Sequence, residues 1–133
     1  MIMTTLLKVE KITKKFGNFY ANNRISFEVN RSEVLAILGE NGAGKTTLMN
    51  ILFGHYTPDS GNVNFEGNAI EFGNTNNAIK LGIGMVHQHF TLAENLTVLE
   101  NIIIGRQSIF SLSLPKKQAR MKILELSKNF GLP

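Results

Sequence analysis

Ile25, Phe27 and Val29 alternate with Ser26, Glu28 and Asn30, a two-residue period that turns one row of side chains to a core and the other to water. A less regular version runs through Leu7, Lys8, Val9, Glu10, Lys11 and Ile12. Half-buried strands are therefore expected over 6–12 and 25–30. Val34-Leu35-Ala36-Ile37-Leu38 does not alternate, and a short apolar run between turn residues predicts a strand covered on both faces, as in a parallel sheet. From Thr46 to Phe53 the spacing becomes helical, with Leu48, Ile51 and Leu52 on one stripe and Gly54 as the stop.

Thr57-Pro58-Asp59-Ser60-Gly61 has turn chemistry: proline presets one dihedral and glycine accepts a positive one. Asn62 to Phe72 reads as two short strands about Glu66-Gly67-Asn68, Asn76 to Leu81 as a short helix ended by Gly82, and Ile83 to Val86 as another strand. Gln88 to Asn95 is a polar connection. Thr97 caps a helix through Ile104 ended by Gly105, Ser108 to Ser113 is a joint, and Pro115 opens a last helix reaching Asn129.

At 133 residues, with 43% hydrophobic and 18% charged positions, the chain has the means to bury one core. The absence of cysteine excludes disulfide scaffolds, thiolate metal sites and a cysteine nucleophile. The net charge of +4 is spread out: only Lys14-Lys15 and Lys116-Lys117 are paired. That distribution reads as a solvated surface, and no nucleic-acid partner is expected. No run approaches the ~18 apolar residues of a membrane span, and the start of the chain does not read as a secretory signal. His55, His87 and His89 read as loop and surface residues, since no third ligand accompanies them.

The chemistry lies in Gly39-Glu40-Asn41-Gly42-Ala43-Gly44-Lys45-Thr46, which fits G-x-x-x-x-G-K-[ST] without substitution, after a strand candidate and before a helix candidate. Glycine lets the backbone bend sharply and approach phosphate oxygens with no Cβ in the way. Successive amides make an anion nest, reinforced by the positive end of the helix. Lys45 supplies a point charge for the β and γ phosphates, Thr46 a hydroxyl for Mg²⁺, and Thr47 a hydroxyl for the α phosphate.

Phe16-Gly17, Gly39 to Thr47 and Val86-His87-Gln88, with their spacing, resemble the adenine-stacking aromatic, the Walker A loop and the Q-loop of ABC-transporter ATPase subunits. The wording Gly84-Met85-Val86-His87-Gln88-His89-Phe90 and Leu96 to Ile102 is similar to subunits of sugar and nucleoside importers. The resemblance implies an α/β fold: a truncated P-loop NTPase with an antiparallel β portion, a P-loop core strand and helix, and the start of a helical subdomain. The antiparallel portion is expected beside parallel core strands at 34–38 and 83–86, with the P-loop helix crossing between them by a right-handed connection. Residues 1–95 would be the ATP-binding core portion and 96–133 the beginning of the helical subdomain.

The same resemblance assigns Phe16 to stacking on adenine, with Tyr20 a nearby rival, and Gln88 to contact with Mg²⁺ or the attacking water. It implies ATP and Mg²⁺ as cofactors, transmembrane permease subunits and a second nucleotide-binding domain as partners, and a place on the cytoplasmic face of the membrane. The family pattern continues with a serine-glycine-glycine signature loop, an Asp-Glu strand end and a switch histidine. This sequence has no Gly-Gly pair, its one aspartate is Asp59 in a turn, and its last histidine is His89. The expectation is an ATP-binding portion of an ABC importer subunit that binds nucleotide without turnover, the parent protein being an ATPase. A fragment of an ABC ATPase serving no transporter is the alternative.

Overall fold

The computed structural model describes residues 4–87, 92–104 and 116–131. The chain divides into two compact units, 1–86 and 87–133. In the first, β1 (Thr5–Phe16) and β2 (Phe19–Asn30) form an antiparallel hairpin, with Phe16 opposite Phe19 and Val9 opposite Phe27. Gly17 closes it at φ 59°, the left-handed conformation that a two-residue hairpin loop requires. Bulges interrupt the ladder where Lys11 and Arg24 both take φ 52°. Their amides go to hydroxyls instead: Lys11 N donates to Ser26 Oγ at 2.8 Å and Arg24 N to Thr13 Oγ1 at 3.1 Å.

β3 (Ser60–Phe65) pairs with the other edge of β1, and β4 (Asn68–Ala69) pairs with β3. The sheet is wholly antiparallel, in the order β2-β1-β3-β4. Glu66 and Gly67, at φ 51° and 78°, make the β3–β4 turn at the Glu66-Gly67-Asn68 site expected from the sequence. On the exposed face Lys8 lies 3.0 Å from Glu10 and 3.8 Å from Glu28. Its hydrogen bond to Glu10, with the charges of both carboxylates, holds its ammonium above the usual lysine range.

Helix α1 (Lys45–Leu52) lays its apolar stripe on this sheet. Val9, Ile12 and Val63 from the strands and Leu48, Ile51 and Leu52 from the helix form the core, with Ile70. Burying such a side chain contributes ~1.5–3 kcal/mol, so this contact is the main tie between helix and sheet. Helix α2 (Thr75–Lys80) starts at Asn74, whose side chain accepts from Asn77 N at 3.1 Å.

The antiparallel sheet with its helices is the α/β arrangement expected of a P-loop NTPase, but the two parallel strands expected within it are absent. Residues 33–40 and 83–87 carry no strand pairing. Val34 is 95% exposed, Leu38 91% and Val86 83%. A run apolar on both faces becomes a strand only when neighbouring strands bond both its edges, and no described strand is paired with either of these two. The right-handed crossover between them is likewise not formed.

In the second unit, α3 (Val98–Ile104) opens with a reciprocal cap. Thr97 N donates to Glu100 Oε2 at 3.0 Å and Glu100 N donates to Thr97 Oγ1 at 3.3 Å. Asn101 Nδ2 donates to Ala93 O at 3.1 Å and Oδ1 accepts from Ala93 N at 2.9 Å, folding the preceding loop onto the helix. Helix α4 spans Lys116–Phe130. The joint at 108–113, Gly105 and Pro115 lie outside the described residues. Among the described residues, no helix is long and apolar enough to cross a membrane.

Candidate nucleotide-binding loop

Gly39 to Gly44 bridges residues 33–38 to the N-terminus of α1. Its three glycines do different work. Gly42 and Gly44 both stand at φ 84°, where a side chain is strained. A Cβ on Gly42 would meet nothing within 4 Å, whereas one on Gly44 would lie 1.9 Å from the Ala21 carbonyl oxygen. Gly44 is thus pressed against β2 and has no room for a side chain. Gly39 keeps an ordinary φ, and its Cβ would come within 3.1 Å of the Ala43 Cβ.

Asn22 explains the close approach. It is 4% exposed, and its Nδ2 donates to the Gly44 carbonyl at 3.1 Å. Its Oδ1 is buried without a partner among the described residues. Sequence reasoning missed this residue because strict alternation back from Ile25 points Asn23 inward. The bulge at Arg24 shifts the phase by one, so Asn22 takes the inner position instead.

The Gly44 carbonyl also accepts from Leu48 N at 2.9 Å, the first bond of α1. Ala43 N donates to Glu40 O at 3.2 Å. Among the described residues, the amides of Gly42 and Gly44 make no hydrogen bond. No acidic residue stands in the first turn of α1, so the helix dipole is left to favour an anion there. Lys45 curls back over the loop, its Nζ donating to the Gly39 carbonyl and, at 2.8 Å, to the Glu40 carbonyl. The ammonium is therefore carried on the same loop as the amides. Asn41 and Thr46 are exposed and Thr47 half-buried in the first turn. Thr46 presents a hard oxygen donor beside Lys45, of the type Mg²⁺ prefers. Gln88 lies outside the described residues.

Phe16 and Tyr20 sit at the hairpin tip, both half exposed. Lys15 Nζ lies 4.2 Å from the Tyr20 ring centroid, whereas Phe16 meets Tyr56 at 6.0 Å in an edge-to-face arrangement. The two aromatics thus have different neighbours.

The model of the ABC transporter family matches residues 22–133. The chain belongs to that family. The match takes in Gly39 to Thr47 and Gln88 and begins after Phe16. Over 99% of its length the chain is 46% identical to the nucleoside import ATP-binding protein NupA of Lactococcus lactis subsp. cremoris, and it covers 26% of that protein. It is 42% identical to the guanosine import ATP-binding protein NupO of Bacillus subtilis over 98% of its length, again covering 26% of the relative. The chain therefore spans about a quarter of the length of these curated relatives.

Among solved structures, a nucleotide-free ATP-binding cassette from an ABC transporter superposes with a TM-score of 0.77 at 33% identity, over 97% of this chain and 56% of that one. An ABC transporter cassette in its ADP conformation superposes with a TM-score of 0.78 at 33% identity, over 94% of this chain and 54% of that one. ABC-family membership makes this chain part of an ATP-binding cassette.

Proposed function

We propose that the chain binds Mg-ATP through Gly39 to Thr47 and is the ATP-binding portion of an ABC importer subunit for a sugar or a nucleoside. The observation that carries the reading is the loop itself: two bare glycine amides, a helix N-terminus and the Lys45 ammonium on one short segment. In it, Glu40, Asn41 and Ala43 contribute backbone to the cradle. Lys45 turns from its two carbonyls to the β and γ phosphates, exchanging neutral acceptors for charged ones. Thr47 faces the α phosphate, and Phe16 offers its ring to the adenine, an interaction of ~1–3 kcal/mol where base stacking has been measured.

Thr46 would hold Mg²⁺ through its hydroxyl, with Gln88 as a second ligand. Among the described residues no group of three His, Asp or Glu side chains gathers to hold an ion. The Thr46 hydroxyl, the Gln88 amide oxygen and phosphate oxygens would make up the donor set, all hard oxygens that fit a cation keeping much of its water. The ion, when bound, would neutralise charge on the phosphates.

Turnover needs an oriented water and further charge stabilisation beyond the cradle, and the sequence offers a single aspartate, Asp59, for it. Asp59 is tied into the turn after α1. Nucleotide binding without hydrolysis is therefore the reading for these 133 residues. We assign residues 1–95 to the ATP-binding core and 96–133 to the helical subdomain. The names of the curated relatives support the importer assignment. With it come transmembrane permease subunits, a second nucleotide-binding domain and the cytoplasmic membrane face. Titration with a fluorescent ATP analogue, alongside a steady-state phosphate-release assay, tests both halves. Saturable Mg-dependent binding with no phosphate release is expected. Absence of binding overturns the first half and sustained release the second.

A further inference from the structure

Phe16 ends β1, and the turn after α1 is built around it. Its ring meets Tyr56 edge to face at 6.0 Å with the planes 75° apart, and the Lys14 ammonium lies 5.6 Å from the Phe16 ring centroid. That ammonium is itself held, donating to the Thr57 carbonyl at 2.8 Å and lying 3.7 Å from Asp59 Oδ1. Asp59 completes the link. Its Oδ2 accepts from Lys15 N at 2.6 Å, and its own N donates to the Thr13 carbonyl at 2.8 Å. Residues 56–59 are thereby fastened to 13–16 by four contacts, with the two rings between them.

An exposed phenylalanine at a hairpin tip has no intrinsic reason to keep one rotamer. Here an aromatic edge and a tethered ammonium restrict it, while Phe16 remains 49% exposed and Tyr56 40%. A fixed ring with open area serves as a preformed platform for a flat ligand, because the cost of immobilising it is met before binding.

We infer that Tyr56 is a positioning residue for the base site: it orients Phe16 and thereby raises affinity for the purine part of the nucleotide, not for the phosphates. The inference rests on the proposed stacking of Phe16 on adenine. Tyr56 acts through Phe16, so its effect vanishes once Phe16 is gone.

The test compares affinities of the full chain for Mg-ATP and for Mg-tripolyphosphate, which carries the phosphates and no base. Their ratio cancels any change in the folded fraction, since that scales both equally. Tyr56→Leu is expected to lower the ATP preference about threefold to tenfold, the range of one aromatic pair, with tripolyphosphate affinity unchanged. Tyr56→Phe retains the edge and keeps the parent ratio. Phe16→Ala lowers the ratio further, and adding Tyr56→Leu to it changes nothing more. If Phe16→Ala collapses the ratio and Tyr56→Leu leaves it intact, the positioning role is overturned while stacking stands. Additive losses in the double variant overturn it too, because Tyr56 would then act without Phe16. A ratio unmoved by Phe16→Ala overturns the stacking reading and the inference with it.

Discussion

Asn22 donates from Nδ2 to the Gly44 carbonyl across 3.1 Å, joining the first third of β2 to the last glycine of the Gly39–Gly44 loop. The bond fixes the carbonyl that also starts α1, so strand, loop and helix meet at one oxygen. Two opposing terms follow from its burial. Removing the donor forfeits a hydrogen bond, but Oδ1 is already buried without a partner, and truncation relieves that cost. Asn22→Ala also leaves a void beside the loop.

We expect Asn22→Ala to lower the unfolding free energy by about 1–2 kcal/mol and to weaken Mg-ATP binding through a looser Gly44. Urea unfolding and nucleotide titration read the two effects. Unchanged unfolding and binding would mean that the unpaired Oδ1 cancels the bond.

Gly44 and Gly42 share a φ of 84° and differ in the space around them. Gly42→Ala should cost only the backbone strain of that region, ~1–2 kcal/mol, and retain measurable nucleotide binding. Gly44→Ala adds a contact of 1.9 Å with the Ala21 carbonyl, which only movement of the loop or strand can relieve. It should abolish binding. Equal affinities for the two variants would show that Gly44 does not need its close approach to β2.

Lys45→Ala removes the ammonium that sits on the Gly39 and Glu40 carbonyls. Charge-assisted bonds of ~1.5–3 kcal/mol are lost, and affinity for Mg-ATP should fall roughly tenfold to a hundredfold. Asp59→Asn is the control: it keeps an acceptor for Lys15 N and should bind tripolyphosphate as the parent does. Circular dichroism verifies that both variants fold. Parent-like affinity in Lys45→Ala would sink the phosphate-cradle assignment.

Val34, Leu38 and Val86 present apolar side chains almost entirely to water, on segments that carry no strand pairing. Surfaces of this kind associate. The chain should therefore form oligomers as its concentration rises, measured by sedimentation velocity. Val34→Lys with Val86→Lys should shift the distribution toward monomer and leave tripolyphosphate affinity intact, neither residue lying in the loop. A monodisperse monomer across the whole concentration range would refute the expectation.

Local chemistry was legible in the sequence. The G-x-x-x-x-G-K-[ST] spacing located the loop and the start of α1, because a glycine turn at positive φ running into a helix favours those residue types in that order. Gly54 and Gly82 marked helix ends, and both adopt positive φ. Thr97 gave the cap of α3, to which the structure adds the reciprocal bond with Glu100. Each of these is settled by bonds within a few residues, so a linear pattern contains them. What depends on distant partners was not readable. The apolar run at 34–38 has the composition of a buried strand, yet a strand exists only through neighbours that bond its edges. The bulge at Arg24 moved Asn22 inward, and no periodicity in the sequence announces a one-residue slip. Tyr56 and Asp59 lie about forty residues from Phe16 and Lys15 in the sequence, and only the pairing of β1 with β3 brings them together. The sequence by itself determined the residue types of the Gly39–Thr47 loop; the tertiary structure decided which side chains hold that loop and, separately, Phe16 in place, because such contacts are set by strand register rather than by local preference.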